Sequence, residues 1–228
     1  MAQPEVAYIE VGGRSIAHRL RSGHRPTLLF LPGYASDMEG AKALALDDFA
    51  EQHGQALLRL DYSGTGSSRG RFEDGTLDLW LEEVLAAVDR LTDGPLIVVG
   101  SSMGGWIALH LALLRPDRVR AVVGIAVAPD FTDWGLERGD GGITAAFLES
   151  GQRLLLLNRG IPIDCPVRLV HGEADGDVPL DIALRTMRAL RSADVQVTVI
   201  KDGGHRLSEP HEIEAILRVV ADVLEPAI

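Results

Sequence analysis

The sequence contains one cysteine, Cys165, and therefore cannot form an internal disulfide. Basic residues are also scarce: 22 Lys and Arg stand against 33 Asp and Glu, for a formal net charge of -11. Such a chain repels phosphate groups, which argues against nucleic acid and anionic membrane surfaces as partners. Long apolar runs are missing as well, and the N-terminus shows neither the basic nor the apolar part of a secretory signal. These absences predict a cytoplasmic protein without a membrane span.

What is present is an alternation of buried strands and amphipathic helices along 228 residues. A hairpin pattern at about 5–20 precedes short apolar runs such as 27–31 and 96–99, and helical periodicity separates these runs. Alternating strands and helices predict an α/β protein with a mainly parallel sheet and helices on both faces. No linker is visible, so we expect a single domain over 1–228, with a short lid insertion at about 132–160.

The central motif is Gly100-Ser101-Ser102-Met103-Gly104, between an apolar strand and a Leu/Ala-rich helical run. A G-x-S-x-G pattern at a strand-to-helix turn is typical of a nucleophile elbow, in which the serine stands clear of the sheet. The third position of the G-x-S-x-G motif is Ser102, so Ser102 is the candidate nucleophile. The alternative is a structural Gly/Ser turn that joins a strand to a helix and has no catalytic role.

A serine nucleophile needs a base, and His205 is the candidate because it follows the predicted strand 195–200 and two glycines. The alternative is an exposed loop histidine. His211 is more typical of a helix surface and His110 of a packed position, while His18, His24 and His53 precede the elbow.

The acid should lie between the serine and the histidine in the chain, in a loop after a strand. The spacing His-Gly-x-x-Asp-x-x-Val-Pro from residue 171 favours Asp175, with Glu173, Asp177 and Asp181 as competitors. Asp177 suits a helix cap better.

Backbone amides of Met103 and Tyr34 are the expected oxyanion donors, since Pro32-Gly33-Tyr34 follows the strand 27–31. Four residues are expected to contact substrate, with a place in the core as the alternative for the aromatic ones: Gly33, Phe131, Trp134 and Phe147.

No cofactor is expected. A metal site is not expected either, because no His-x-x-x-His or Cys pair with ligand spacing occurs. The glycine-rich stretch 64–70 follows a strand, but its third glycine is one position late for a dinucleotide loop and no helix opens on it.

Five segments carry a family resemblance: LPGYAS at 31–36, DYSGTGSS at 61–68, GSSMGGW at 100–106, IPIDCPV at 161–167 and HGEAD at 171–175. With them the chain resembles the α/β hydrolases, and more narrowly the abhydrolase domain-containing protein 10 family of mitochondrial-type esterases and acyl-protein thioesterases. The resemblance implies an α/β-hydrolase fold, a triad of Ser102, Asp175 and His205, and ester or thioester substrates that include acylated proteins and acyl glucuronides. Without a transit-like presequence, a bacterial cytosolic relative with a shorter lid is expected.

The residues thus predict a serine hydrolase that cleaves small-molecule acyl esters or thioesters through an acyl-enzyme, with acylated protein as a further candidate substrate. The alternative is a catalytically silent member of the same fold that acts as a ligand receptor or interaction module. A peptidase is disfavoured because no peptide or amine subsite is evident.

Overall fold

The computed structural model describes residues 3–135, 139 and 142–224. Eight strands form one sheet in the order β1-β2-β4-β3-β5-β6-β7-β8. Strand β2 runs antiparallel to β1 and β4, and the remaining neighbours pair in parallel. The strands are β1 Ala7–Val11, β2 Arg14–Arg21, β3 His24–Leu31, β4 Gln55–Leu60, β5 Leu96–Ser101, β6 Val119–Ile125, β7 Val167–Gly172 and β8 Val195–Ile200.

Helices cover both faces of this sheet. They are α1 Ala41–Gln52, α2 Leu77–Leu91, α3 Met103–Leu114, α4 Ala145–Arg153, α5 Leu180–Ala189 and α6 Pro210–Leu224. Helices α1 and α6 contribute to one apolar cluster, and α2 to α5 contribute to the other. The predicted α/β fold with a mainly parallel, doubly covered sheet is therefore confirmed.

Strand β3 shows why the apolar runs are continuous. Leu29 and Leu31 belong to the cluster under α2 and α3, whereas Leu28 and Phe30 belong to the cluster under α1 and α6. Successive side chains of a strand point to opposite faces, so a strand covered on both faces is apolar at every position. Because β3 to β8 run parallel, their carboxyl ends meet at one edge of the sheet, where binding sites of open α/β sheets lie.

The sequence favours Ser36 and Asp37 as the cap of the first helix and a helical run over 143–157, and the structure differs at one end of each helix. Helix α1 begins at Ala41 rather than near Ser36, because the chain first forms a turn in which Ser36 N donates to Gly33 O. Helix α4 ends at Arg153 rather than near Leu157, where Asp130 accepts hydrogen bonds from the two backbone amides at 156 and 157.

The predicted lid at about 132–160 contains α4, and a 3₁₀ turn at Phe131–Asp133 spans its start. Residues 136–138, 140 and 141 of that segment lie outside the described residues, and the lid stays a prediction. Among the helices of the described part of the chain, none combines the length and the apolar character needed to cross a bilayer.

Candidate active site

Ser102 lies between β5 and α3 with φ 53° and ψ −118°, a conformation that costs a non-glycine residue about 1–3 kcal/mol. Its amide donates to Ile125 O at 2.8 Å, which fixes the turn against β6. The flanking glycines are required by contact: a Cβ on Gly100 would lie 2.4 Å from Gly104 O, and one on Gly104 would lie 2.2 Å from Leu31 O. The turn therefore has the tight, strained geometry of an elbow.

His205 lies next to this serine. Its Nε2 is 3.1 Å from Ser102 Oγ, and its Nδ1 is 2.9 Å from Asp175 Oδ2. The imidazole is 23% exposed, whereas the Asp175 carboxylate is completely buried. Three side chains from the loops after β5, β7 and β8 thus form one continuous hydrogen-bonded chain.

Asp175 is held in place by the backbone of its own loop. Its Oδ1 accepts from Asp177 N at 2.9 Å and from Val178 N at 2.8 Å, which leaves Oδ2 for His205. These amides supply the hydrogen bonds that a buried carboxylate requires.

His171 is a neighbour of Asp175 to which the sequence analysis gave no role. It is fully buried, and its Nε2 lies 2.9 Å from Val178 O and 3.5 Å from Asp175 Oδ2. Donation to the Val178 carbonyl fixes the proton on Nε2 and ties the acid loop to the end of β7. The signal for this role was the His-Gly pair that opens the acid motif.

The competing acids and histidines lie elsewhere. Glu173 is exposed and accepts from Asp202 N at 3.4 Å, while Asp181 lies in the first turn of α5. His211 is exposed on α6. His110 lies 2.8 Å from Leu154 O through its Nε2, and burial lowers its pKa.

Asp177 lies beside the hydrogen-bonded pair, and it could join Asp175 and His205 in holding a metal ion, since one ligand atom of each lies within 4.8 Å of the others. The Asp175 oxygens and His205 Nδ1 are, however, already engaged in hydrogen bonds. A metal ion there would have to displace the contact between His205 and Asp175.

A cleft of about 460 Å³ opens on one side of Ser102. Gly33 lies in its wall, and a Cβ added there would be 3.3 Å from Ser102 Cβ. The other residues that line the cleft are Phe30, Tyr34, Ala35, Ser36, Asp37, Gly40, Ala41, Lys42, Ala43, Ser101, His205, Arg206 and Ser208.

A second cavity of about 230 Å³ also has Ser102 in its wall. Tyr34, Met103 and Val178 line it together with the predicted pocket residues Phe131 and Trp134. Gly33, Tyr34, Met103, Phe131 and Trp134 thus all reach a cavity that contains Ser102.

Phe147 does not line that wall as expected for a substrate-binding residue. It is 1% exposed and packs in the core, with its ring 5.1 Å from that of Tyr34 and 5.8 Å from that of Phe131. The assignment of Phe147 to the substrate site is therefore corrected: it supports the cavity wall from behind.

Comparison with known proteins agrees with this architecture. The family described as alpha/beta hydrolase fold matches residues 26–144. Human palmitoyl-protein thioesterase ABHD10, mitochondrial, is 36% identical over 235 residues, which cover 92% of this chain and 77% of that protein.

Two known structures are similar over nearly the whole chain. Mouse alpha/beta hydrolase domain-containing protein 10 has a TM-score of 0.91 at 33% identity, covering 96% of this chain and 98% of its own. A protein of Agrobacterium vitis S4 has a TM-score of 0.89 at 37% identity, covering 97% and 98%.

These relatives correct one prediction and confirm another. The cytoplasmic location is wrong on this comparison, because the human and mouse ABHD10 proteins are named as mitochondrial. Net charge and cysteine content describe the folded part of a protein, whereas separate targeting segments specify its compartment. The family resemblance is confirmed: the chain belongs to the α/β-hydrolase family, together with the ABHD10 proteins.

Proposed function

We propose that the protein is a serine hydrolase that cleaves carboxylic esters or thioesters through an acyl-enzyme. The observation that carries the proposal is the pair of contacts made by His205, 3.1 Å to Ser102 Oγ and 2.9 Å to Asp175 Oδ2. A nucleophile in contact with a base, and a base oriented by a buried acid, is the arrangement that acyl transfer requires.

In the proposed reaction, His205 Nε2 accepts the Ser102 hydroxyl proton as the oxygen attacks the acyl carbonyl. The same nitrogen then donates that proton to the departing alcohol or thiol. Water enters, loses a proton to His205 and attacks the acyl-enzyme, which releases the acid and restores the serine. Asp175 remains ionised throughout and keeps Nδ1 protonated.

The backbone amides of Met103 and Tyr34 are the proposed donors to the oxyanion. Met103 is the first residue of α3, where free amides and the positive end of the helix dipole favour an anion. Tyr34 lines both cavities that meet at the serine. Donors in such positions stabilise the charge that develops on the carbonyl oxygen in the transition state.

The two cavities divide the proposed substrate into its two parts. The cavity lined by Phe131 and Trp134 suits the acyl group because apolar side chains supply most of its wall. The larger cleft, which Asp37, Lys42 and Arg206 line, suits the leaving group. Because a relative is named as a palmitoyl-protein thioesterase, acyl thioesters, including those on proteins, are the proposed substrate class.

The experiment compares wild type with Ser102→Ala on a p-nitrophenyl ester series and an acyl-thioester series, together with labelling by a fluorophosphonate. Ser102→Ala should lose labelling and at least 10³-fold in kcat. Ser22→Ala is the matched control, because Ser22 is exposed and outside both cavities. Wild-type protein that is folded but neither labelled nor active would favour the receptor alternative instead.

A further inference from the structure

The segment 61–70 follows β4 and includes the glycine-rich stretch; it has no role in the proposed reaction, yet its first two residues contact the loop that carries the Tyr34 amide. We propose that Tyr62 and Asp61 are positioning residues that hold the loop 32–38, and with it the Tyr34 amide, against the serine. This inference rests on the proposed function, since it assigns these residues to the oxyanion site of that reaction.

The first contact is at the start of the loop. Tyr62 is fully buried, and its hydroxyl donates to Pro32 O at 3.0 Å. The Pro32 carbonyl belongs to the same planar peptide unit as the Gly33 amide, so this hydrogen bond fixes the direction in which the loop leaves β3. Gly104 of the elbow packs against the same carbonyl, because a Cβ there would lie 2.5 Å from Pro32 O.

The second contact is at the end of the loop. Asp61 Oδ1 accepts from Met38 N at 2.7 Å, and Arg59 Nη1 donates to Met38 O at 2.7 Å. Both polar groups of the Met38 backbone are thereby bound to side chains from the end of β4. Between the two ends, Ser36 N donates to Gly33 O at 3.2 Å and Ala35 adopts a positive φ of 54°. A loop fixed at both ends holds this strained turn in one conformation.

The glycines of the stretch serve Asp61 itself. Its Oδ2 accepts from Ser67 N at 2.7 Å, and a Cβ on Gly66 would lie 2.2 Å from that oxygen. The glycine-rich stretch therefore encloses the Asp61 carboxylate, as a phosphate loop encloses a phosphate.

Tyr62 is also placed rigidly. Its ring stacks on Trp80 at a centroid distance of 5.2 Å and an interplanar angle of 22°. Trp80 Nε1 in turn donates to Ser63 O at 3.1 Å. A hydroxyl on such a fixed ring can set the position of a carbonyl with little freedom, and an error of about 1 Å in such a position costs about a hundredfold in rate.

The test is Tyr62→Phe, which removes the hydroxyl and keeps the ring stacked on Trp80. Tyr8→Phe is the control, because Tyr8 is 52% exposed on β1. Three quantities are compared: kcat and KM for a p-nitrophenyl ester, and the inhibition constant of an alkylboronic acid, which forms a tetrahedral adduct with the serine. We expect kcat to fall about tenfold to a hundredfold in Tyr62→Phe, with KM within about twofold of wild type. Boronate binding should weaken by the same factor as kcat.

A purely structural role would lower the melting temperature of Tyr62→Phe without lowering kcat relative to KM. Unchanged kcat and unchanged boronate binding would overturn the inference. If Tyr62→Phe does not fold, Asp61→Asn provides the second variant. The asparagine side chain has one acceptor oxygen instead of two, so it cannot accept from both Met38 N and Ser67 N in the same geometry. The control is then Asp93→Asn, whose side chain is 88% exposed. Wild type that fails to react with a fluorophosphonate would instead overturn the proposed function, so the two failures are distinguishable.

Discussion

Gly172 ends the strand that precedes Asp175, and its backbone contacts that of Gly203, two residues before His205. A Cβ on Gly172 would lie 2.3 Å from Gly203 O, and Ala174 N donates to that same carbonyl at 2.9 Å. The acid and the histidine lie 30 positions apart in sequence. The close approach of Gly172 and Gly203 brings Asp175 and His205 within hydrogen-bonding distance.

Gly172→Ala should therefore separate the two loops. We expect a loss of about 1–3 kcal/mol in the free energy of unfolding, because an added methyl group must displace backbone. The value of kcat/KM should fall by tenfold or more as His205 moves away from Asp175. Urea titration and ester hydrolysis measure the two effects. Gly176→Ala is the control, since a Cβ there meets nothing within 4 Å; equal behaviour of the two variants would contradict the prediction.

Stability should depend on the protonation of His110. Burial lowers the pKa of this imidazole from its usual 6.5, and Arg159 lowers it further, against the hydrogen bond to Leu154 O. The unfolded chain therefore binds a proton more readily than the folded protein does. The contribution of neutral His110 to the free energy of unfolding is therefore fully present above about pH 6.5 and is lost as the pH falls through the lowered pKa.

Melting temperatures of wild type and His110→Gln between about pH 7.5 and 5 measure this effect. The variant should show a shallower decline, although not a flat one, because burial lowers the pKa of His18 in the same direction. His211→Gln, at an exposed position, should keep the wild-type slope. A His110→Gln curve parallel to wild type would exclude His110 as the source.

Ser150 joins α4 to the start of α2. Its Oγ accepts from Leu77 N at 2.8 Å and donates to Phe147 O at 2.8 Å, in a site closed to solvent. Ser150→Ala leaves the Leu77 amide buried without a partner, which should cost about 1–3 kcal/mol of unfolding free energy. Chemical denaturation would show this loss, and Ser192→Ala in the partly exposed turn before β8 should change stability by less than about 0.5 kcal/mol.

Trp134 should limit the length of the acyl group. It lines the smaller cavity beside Ser102, so Trp134→Ala opens space along the proposed acyl site. Each methylene that gains apolar surroundings contributes about 0.8 kcal/mol, or about fourfold in the ratio of kcat/KM between longer and shorter esters. Phe147→Leu is the control: it should lower stability and leave the chain-length profile unchanged, because Phe147 lies behind the wall. The same profile in all three proteins would exclude this assignment.

The central parts of the structure were predictable from sequence because local patterns determine them. Strand β5 and helix α3 are continuous apolar segments, and only glycine fits at 100 and 104, where backbones approach within 2.4 Å of an added Cβ. Loops that follow parallel strands must meet at one edge of the sheet, so Ser102, Asp175 and His205 were expected to lie close together.

Other features depend on contacts between distant segments. Phe131 and Phe147 have the same side chain, and only the packing of α4 determines which of them reaches a cavity. Asp61 and Tyr62 bind backbone groups of another loop, and backbone donors and acceptors leave no signature in the sequence they belong to. For His171 the His-Gly pair marks the residue, but its partner, the Val178 carbonyl, has no signature in the sequence.

The sheet order has a consequence for how the protein loses activity. Ser102 follows β5 in the middle of the sheet, whereas His205 follows β8, which lies at one end of it. Local opening frees the ends of a sheet before its centre. Moderate heating should thus separate His205 from Ser102 while Ser102 keeps its native surroundings. Thermal inactivation of the proposed enzyme would then precede global melting and reverse on cooling.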